Sequence, residues 1–216
     1  GAAERGSIQN ILEWLKGEGC VLGDSACLGA AEGGSIDILK YLKCEGVPFN
    51  SLACSYAARG GHIKVLKYLW NLGIPFDDGV CAFAAFSGHI YVLEFLKRKG
   101  LRFDSETCKD AAGGGQIRVL QYLSRQGMSF DAQTCNQAAL AGQVEVLKYL
   151  RSVGMSFDSE TCEWAALNGH IHVLKYLKSE GVTFEKGICD AAAKHGHVDV
   201  LKYLKSEGVP LHRDTC

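Results

Sequence analysis

Cysteine recurs at a fixed interval of 27 residues along this chain, at Cys27, Cys54, Cys81, Cys108, Cys135, Cys162, Cys189 and Cys216. A period of this length marks a repeat architecture, in which each unit is one supersecondary element that cannot bury its apolar face alone. Two glycines keep the same register. One recurs at Gly34, Gly61, Gly88, Gly115, Gly142, Gly169 and Gly196, the other at Gly46, Gly73, Gly100, Gly127, Gly154, Gly181 and Gly208. All three prolines, Pro48, Pro75 and Pro210, share one position of the unit. These marks divide residues 1–216 into a single repeat array. Its full units are 24–50, 51–77, 78–104, 105–131, 132–158, 159–185 and 186–212. Residues 1–23 read as part of a preceding unit and 213–216 as the start of a further one. The expectation is an array cut from a longer one, with fraying ends where the stack is uncapped.

One unit, residues 159–185, carries the physics. Asp158 suits a helix N-cap, accepting hydrogen bonds from the orphan amides of the first turn. Residues 159–168 then read as a short helix with Cys162, Ala165 and Ala166 on its buried side. Gly169 suits the left-handed residue that ends a helix. A second helix follows over 171–177, apolar at Ile171, Val173, Leu174, Tyr176 and Leu177. Polar His172, Lys175 and Ser179 form a single exposed stripe. Gly181 ends this helix, and Val182 and Phe184 fold the connecting turn back onto the stack. Helices of about ten residues are too short to persist alone, so each needs a neighbour on both sides. The Ala-Ala pairs at 57–58, 84–85, 111–112, 138–139 and 165–166 permit the closest helix packing. The fold class expected is all-α, an α-solenoid of stacked helix–turn–helix repeats.

The string Ala-Ala-x-x-Gly-His-(Ile/Val)-x-Val-Leu-Lys-Tyr-Leu-x-x-x-Gly at 165–181 resembles the two-helix core of an ankyrin repeat. It recurs with few changes at 57–73, 84–100, 138–154 and 192–208. The usual ankyrin unit has about 33 residues and opens Thr-Pro-Leu-His. Here Thr161-Cys162 stands at that opening, and the missing length falls where ankyrin repeats project a β-hairpin finger. The resemblance is therefore to a short 27-residue variant whose finger is reduced to a tight turn at Phe157-Asp158.

The cysteines invite other readings. Adjacent members of the ladder should lie ~8–10 Å apart, one helix-packing distance. A disulfide requires Cα atoms within about 7 Å, and a zinc site requires ligands converging on one ion. The ladder fits buried, reduced thiols acting as small hydrophobes, so the expected location is intracellular, in the cytoplasm. Cys20 and Cys44 lie off the ladder, and Cys44 is expected at the surface. His62, His89, His170 and His197 share a position with Ser35, Gln116 and Gln143. That interchange points to a turn-stabilising hydrogen bond rather than acid–base chemistry. His170-x-His172 and His195-x-His197 lack a carboxylate or thiol at ligand spacing, so no metal is expected. No cofactor is expected either. An enzyme gathers unusual residues in one cleft, whereas here they are scattered singly along a ladder. Lys40, Lys67, Lys148, Lys175 and Lys202 form a column on the second helix beside Asp37, Glu145 and Asp199, and read as a solvated back face. With 23 basic and 24 acidic residues the formal charge is −1. That balance lacks the basic footprint of a nucleic-acid binder, and no apolar run is long enough for a membrane span.

In a stack of this kind, specificity lives at positions the stacking does not dictate. Residues flanking the Ala pair vary while the framework repeats. The candidate partner-binding set is Tyr56, Arg59, Phe83, Phe86, Asp110, Gln137, Leu140, Trp164, Leu167 and Lys194. The ankyrin resemblance implies that these line a concave first-helix face. Two readings stay open for Tyr56, Phe83 and Trp164: anchors for a partner, or fillers between adjacent first helices. The expected function is a protein–protein interaction scaffold, as a monomer or part of a longer chain. The alternatives are a passive spacer or tether and, more remotely, a metal-binding protein or enzyme.

Overall fold

A computed structural model describes Gly17, residues 23–185 and residues 187–210. The partial repeat expected at 1–23 (apart from Gly17 and Gly23), the further repeat at 213–216, and with them Cys20 and Cys216, lie outside the described residues. The chain divides into two compact units, with the boundary between Arg102 and Phe103. The first contains α1 (Asp24–Glu32), α2 (Ile36–Cys44), α3 (Ser51–Arg59), α4 (Ile63–Asn71), α5 (Asp78–Phe86) and α6 (Ile90–Arg98). The second contains α7 (Ser105–Gly113), α8 (Ile117–Arg125), α9 (Ala132–Leu140), α10 (Val144–Ser152), α11 (Ser159–Leu167), α12 (Ile171–Ser179), α13 (Gly187–Lys194) and α14 (Val198–Ser206). Odd-numbered helices are the first, and even-numbered helices the second, of each repeat. No strand occurs among the described residues.

Within each unit the first helices pack closely on one another: α1 on α3 and α3 on α5, then α7, α9, α11 and α13 in series. The second helices meet their neighbours far more sparsely. Side-chain size accounts for the difference. The Ala pairs and ladder cysteines of the first helices are at most a few per cent exposed, and small residues let helix axes approach at the short end of the range. The second helices interpose larger side chains, with Leu66, Leu69, Leu93, Leu96, Leu147, Leu150, Leu174 and Leu177 fully buried.

The caps follow the sequence. Asp104, Asp131 and Asp158 accept from the backbone N–H of Thr107, Thr134 and Thr161 at 2.9, 2.9 and 3.0 Å. For α7 and α9 the threonine hydroxyl also accepts from the aspartate N–H, completing a capping box. The second helix of the repeat at 159–185 runs to Ser179, two residues past the apolar pattern, because helical geometry continues until a residue can turn left-handed. That residue is Gly181, at φ +86°. The turns are held by rings. Phe103, Phe130, Phe157 and Phe184 pack edge-on against Tyr122, Tyr149, Tyr176 and Tyr203, with centroids 6.0–6.3 Å apart. This arrangement suits the aromatic quadrupole.

Cys27, Cys54, Cys81, Cys108, Cys135, Cys162 and Cys189 are buried free thiols, and Cys44 is exposed. Burial, reinforced by nearby aspartates, pushes the thiols of Cys54, Cys135 and Cys162 up to about 12 and that of Cys108 to about 11. Because the thiolate is the reactive form, a disulfide-exchange reagent at neutral pH should label Cys44 promptly in the folded protein. The ladder thiols should react only upon addition of denaturant. Rapid native labelling of Cys135 or Cys162, read by mass spectrometry, would contradict this packing.

Candidate protein-binding face

The residue at the N-cap of each second helix has an unexpected partner. None of Ser35, His62, His89, Gln116, Gln143, His170 or His197 caps its own helix through its side chain. Instead His89 Nε2 lies 2.9 Å from Arg59 O, His170 Nε2 3.0 Å from Leu140 O, and His197 Nε2 2.9 Å from Leu167 O. Gln143 Nε2 reaches Gly113 O at 3.4 Å. A carbonyl only accepts, so each histidine carries its proton on Nε2. The acceptor is the last residue of the preceding repeat's first helix, whose carbonyl has no partner inside that helix. The bond expected within a turn therefore ties one repeat to the one before it. Gln116 instead donates to Gly114 O of its own turn at 3.0 Å.

These rings explain the first of the two glycines that recur in each repeat. A Cβ added at Gly142 or Gly169 would come within 3.0 Å of His170 Cε1 or 2.8 Å of His197 Nδ1. Both glycines also have a positive φ, near +75°. Left-handed geometry and close approach thus coincide there. Burial lowers the pKa of His170, outweighing the Leu140 carbonyl, which raises it; His172 and His197 add smaller lowering effects. A depressed histidine pKa contributes stability that is complete above the unfolded value of about 6.5 and is lost as pH falls from there through the folded value. Denaturant melts should therefore show a larger acid loss, between about pH 7.5 and about pH 5.5, for the parent than for His170→Gln. Equal losses in the two proteins would rule this linkage out.

The histidine bonds pin the backbone of residues whose side chains vary. In the first unit, Tyr56 and Phe83 are half-buried with centroids 5.8 Å apart, tilted against each other between α3 and α5. Phe86, one turn further along α5, is exposed at 45%. Arg59 Nε lies 3.4 Å from Glu32 Oε1, and both side chains are partly exposed. Of the first-unit candidates, Tyr56 and Phe83 are thus in contact, and Arg59 is paired to Glu32 of α1. In the second unit Asp110, Gln137, Leu140, Trp164 and Leu167 are half-buried and Lys194 is exposed. Gln137 lies against Gly113, whose added Cβ would meet its Cγ at 3.2 Å. Trp164 Nε1 donates to Glu160 Oε1 at 3.3 Å. Burial, and next the Glu106 carboxylate, raise the pKa of Asp110.

Sequence reasoning missed Tyr91, Glu106, Glu160 and Glu163. Tyr91 is 50% exposed, with its hydroxyl 3.3 Å from His89 Nδ1. Glu106 and Glu160 precede Asp110 and Trp164 by four residues, a helical spacing that puts them on the same face. The lysine column is exposed at Lys40, Lys67, Lys148, Lys175 and Lys202, as expected. Lys148 and Lys202 pair with Glu145 and Asp199 at 2.7 and 3.3 Å. Among the described residues no group of three His, Cys, Asp or Glu side chains is arranged to hold a metal ion. No described helix is long and apolar enough to cross a membrane.

The structure is similar to that of the human ASB11 ankyrin repeat domain, with 20% identity and a TM-score of 0.54 over 77% of this chain and 90% of that one. The fold is accordingly that of an ankyrin-type helical repeat array, with the inter-repeat segment shortened to a turn. The chain also aligns with the maize pentatricopeptide repeat protein PPR10, at 15% identity and a TM-score of 0.46, covering 99% of this chain and 39% of PPR10. The chain thus spans about two fifths of PPR10's length. No protein-family model matches the chain, and no curated protein matches it.

Proposed function

We infer that this chain is a protein-binding scaffold whose contact face is built from the first helices of its repeats. The observation that carries this reading is the split between a repeated framework and a variable face. Cysteine, the Ala pair and the leucines are buried and repeat in register. The positions flanking the Ala pair differ in chemistry from unit to unit, on a backbone held by inter-repeat hydrogen bonds. A preordered face loses less entropy on binding. The 27-residue register, unbroken from 24 to 212, supports treating both compact units as parts of one array. Buried free thiols suit a reducing compartment, and the function requires no cofactor and no reaction.

The test is the double variant Phe83→Ala, Phe86→Ala. Phe86→Ala alone serves as the control for folding, since that ring is exposed. Aromatic anchors at the centre of an interface contribute about 2 kcal/mol or more each, so capture of a partner should weaken at least about tenfold. Undiminished capture by a folded double variant would remove these residues from the face. A passive spacer would show no saturable partner at all while flanking domains kept their activity.

A further inference from the structure

Charge is segregated between the two helix sets of the second unit. The first helices α7, α9, α11 and α13 carry five carboxylates (Glu106, Asp110, Glu160, Glu163 and Asp190) against two cations, Lys109 and Lys194. The second helices α8, α10, α12 and α14 reverse this, with eight Lys and Arg against Glu145 and Asp199. The near-neutral total conceals an acidic side and a basic side. On the acidic side Lys109 is already engaged by Glu106. Asp110 has no ion pair among the described residues, and burial together with Glu106 holds its pKa up. Glu163 is raised as well, first by burial and then by Glu160, Glu185, Asp158 and Asp190. Carboxylates thus outnumber cations five to two on these first helices.

The same face carries apolar surface. Leu140 and Leu167 are half-buried in adjacent first helices, and the Trp164 indole is half-buried with Glu160 beside it. Carboxylates alternating with leucine and indole suit a side chain with an apolar stem and a cationic head. Arginine and lysine have that form, and a cation also gains over an indole face. The geometry points to a basic protein segment, rich in Arg and Lys and interspersed with aliphatic residues, as the partner of the second unit's first-helix face. This rests on the scaffold function above and specifies the chemistry of its ligand. Opposed charge across an interface speeds encounter and selects the partner.

The 216-residue protein is panned against displayed random short peptides, and the enriched sequences are synthesised with a fluorophore. The expected binders are enriched in Arg and Lys. Their affinity should fall about tenfold or more in Glu106→Gln, Glu160→Gln, Glu163→Gln, and fall again as salt rises. The control Glu145→Gln, Glu180→Gln, Asp199→Asn removes as many charges from the other helices and their ends and should leave binding unchanged. Equal loss in both triple variants means attraction to net charge alone and overturns the proposal. Binders without basic enrichment that are nevertheless lost in Trp164→Ala or Phe86→Ala also overturn it, while leaving the scaffold function intact. Binders indifferent to every first-helix substitution defeat both.

Discussion

Leu174→Ala is expected to lower the unfolding free energy by about 2–5 kcal/mol, the range for a buried leucine cut to alanine. Leu174 is fully buried in α12, and its neighbour Lys175 is exposed. Part of the loss is transfer of the removed methyl groups. The remainder depends on how far the site can collapse around the cavity, and here neighbouring helices built on the same framework limit that collapse. Lys175→Ala should stay within about 0.5 kcal/mol. Urea unfolding followed by circular dichroism gives both numbers. A Leu174→Ala loss below about 1 kcal/mol would show that this layer is not the packed interior.

Gly169→Ala and Gly181→Ala should differ although their backbones are alike. Both glycines are left-handed, at φ +76° and +86°, and a Cβ in that region costs about 1–2 kcal/mol. An added Cβ at Gly181 meets nothing within 4 Å, whereas at Gly169 it comes 2.8 Å from His197 Nδ1. His197 must then move and release the Leu167 carbonyl it holds at 2.9 Å, a further loss of about 0.5–1.5 kcal/mol. Gly181→Ala should therefore cost about 1–2 kcal/mol and Gly169→Ala about 1.5–3.5 kcal/mol. Adding His197→Ala to Gly169→Ala should cost less than the separate effects sum to, because the two residues share one contact. Equal costs for the two glycine variants would mean that the ring does not constrain the turn.

Much of the fold was legible because repetition multiplies weak local signals. A single Asp-x-x-Thr is an ambiguous cap, but Asp104, Asp131 and Asp158 with their threonines recur in register, and all three form the bond. The same holds for the Ala pairs and the glycines. The histidine bond was half legible. The interchange of His89 and His170 with Gln143 indicates a donor, but the acceptor lies in the preceding repeat, 30 residues back. Nothing local specifies a partner that only stacking brings near. The candidate face was the least legible part. A large aromatic beside an Ala pair serves equally as packing or as anchor, and only the structure separates half-buried Tyr56 and Phe83 from Phe86 at 45% exposure. The charge separation in the second unit was hidden because the formal charge of −1 sums over both helix sets.

Photo-crosslinking from single positions tests the central claim most directly. A benzophenone amino acid is placed in turn at Phe86 and Trp164 on first helices, and at Lys67 and Lys148 on second helices, all in otherwise unaltered protein. The first-helix positions should yield a discrete protein adduct with the captured partner, and the second-helix positions should yield none. Adducts confined to Lys67 and Lys148 would place the partner on the opposite side and contradict the account.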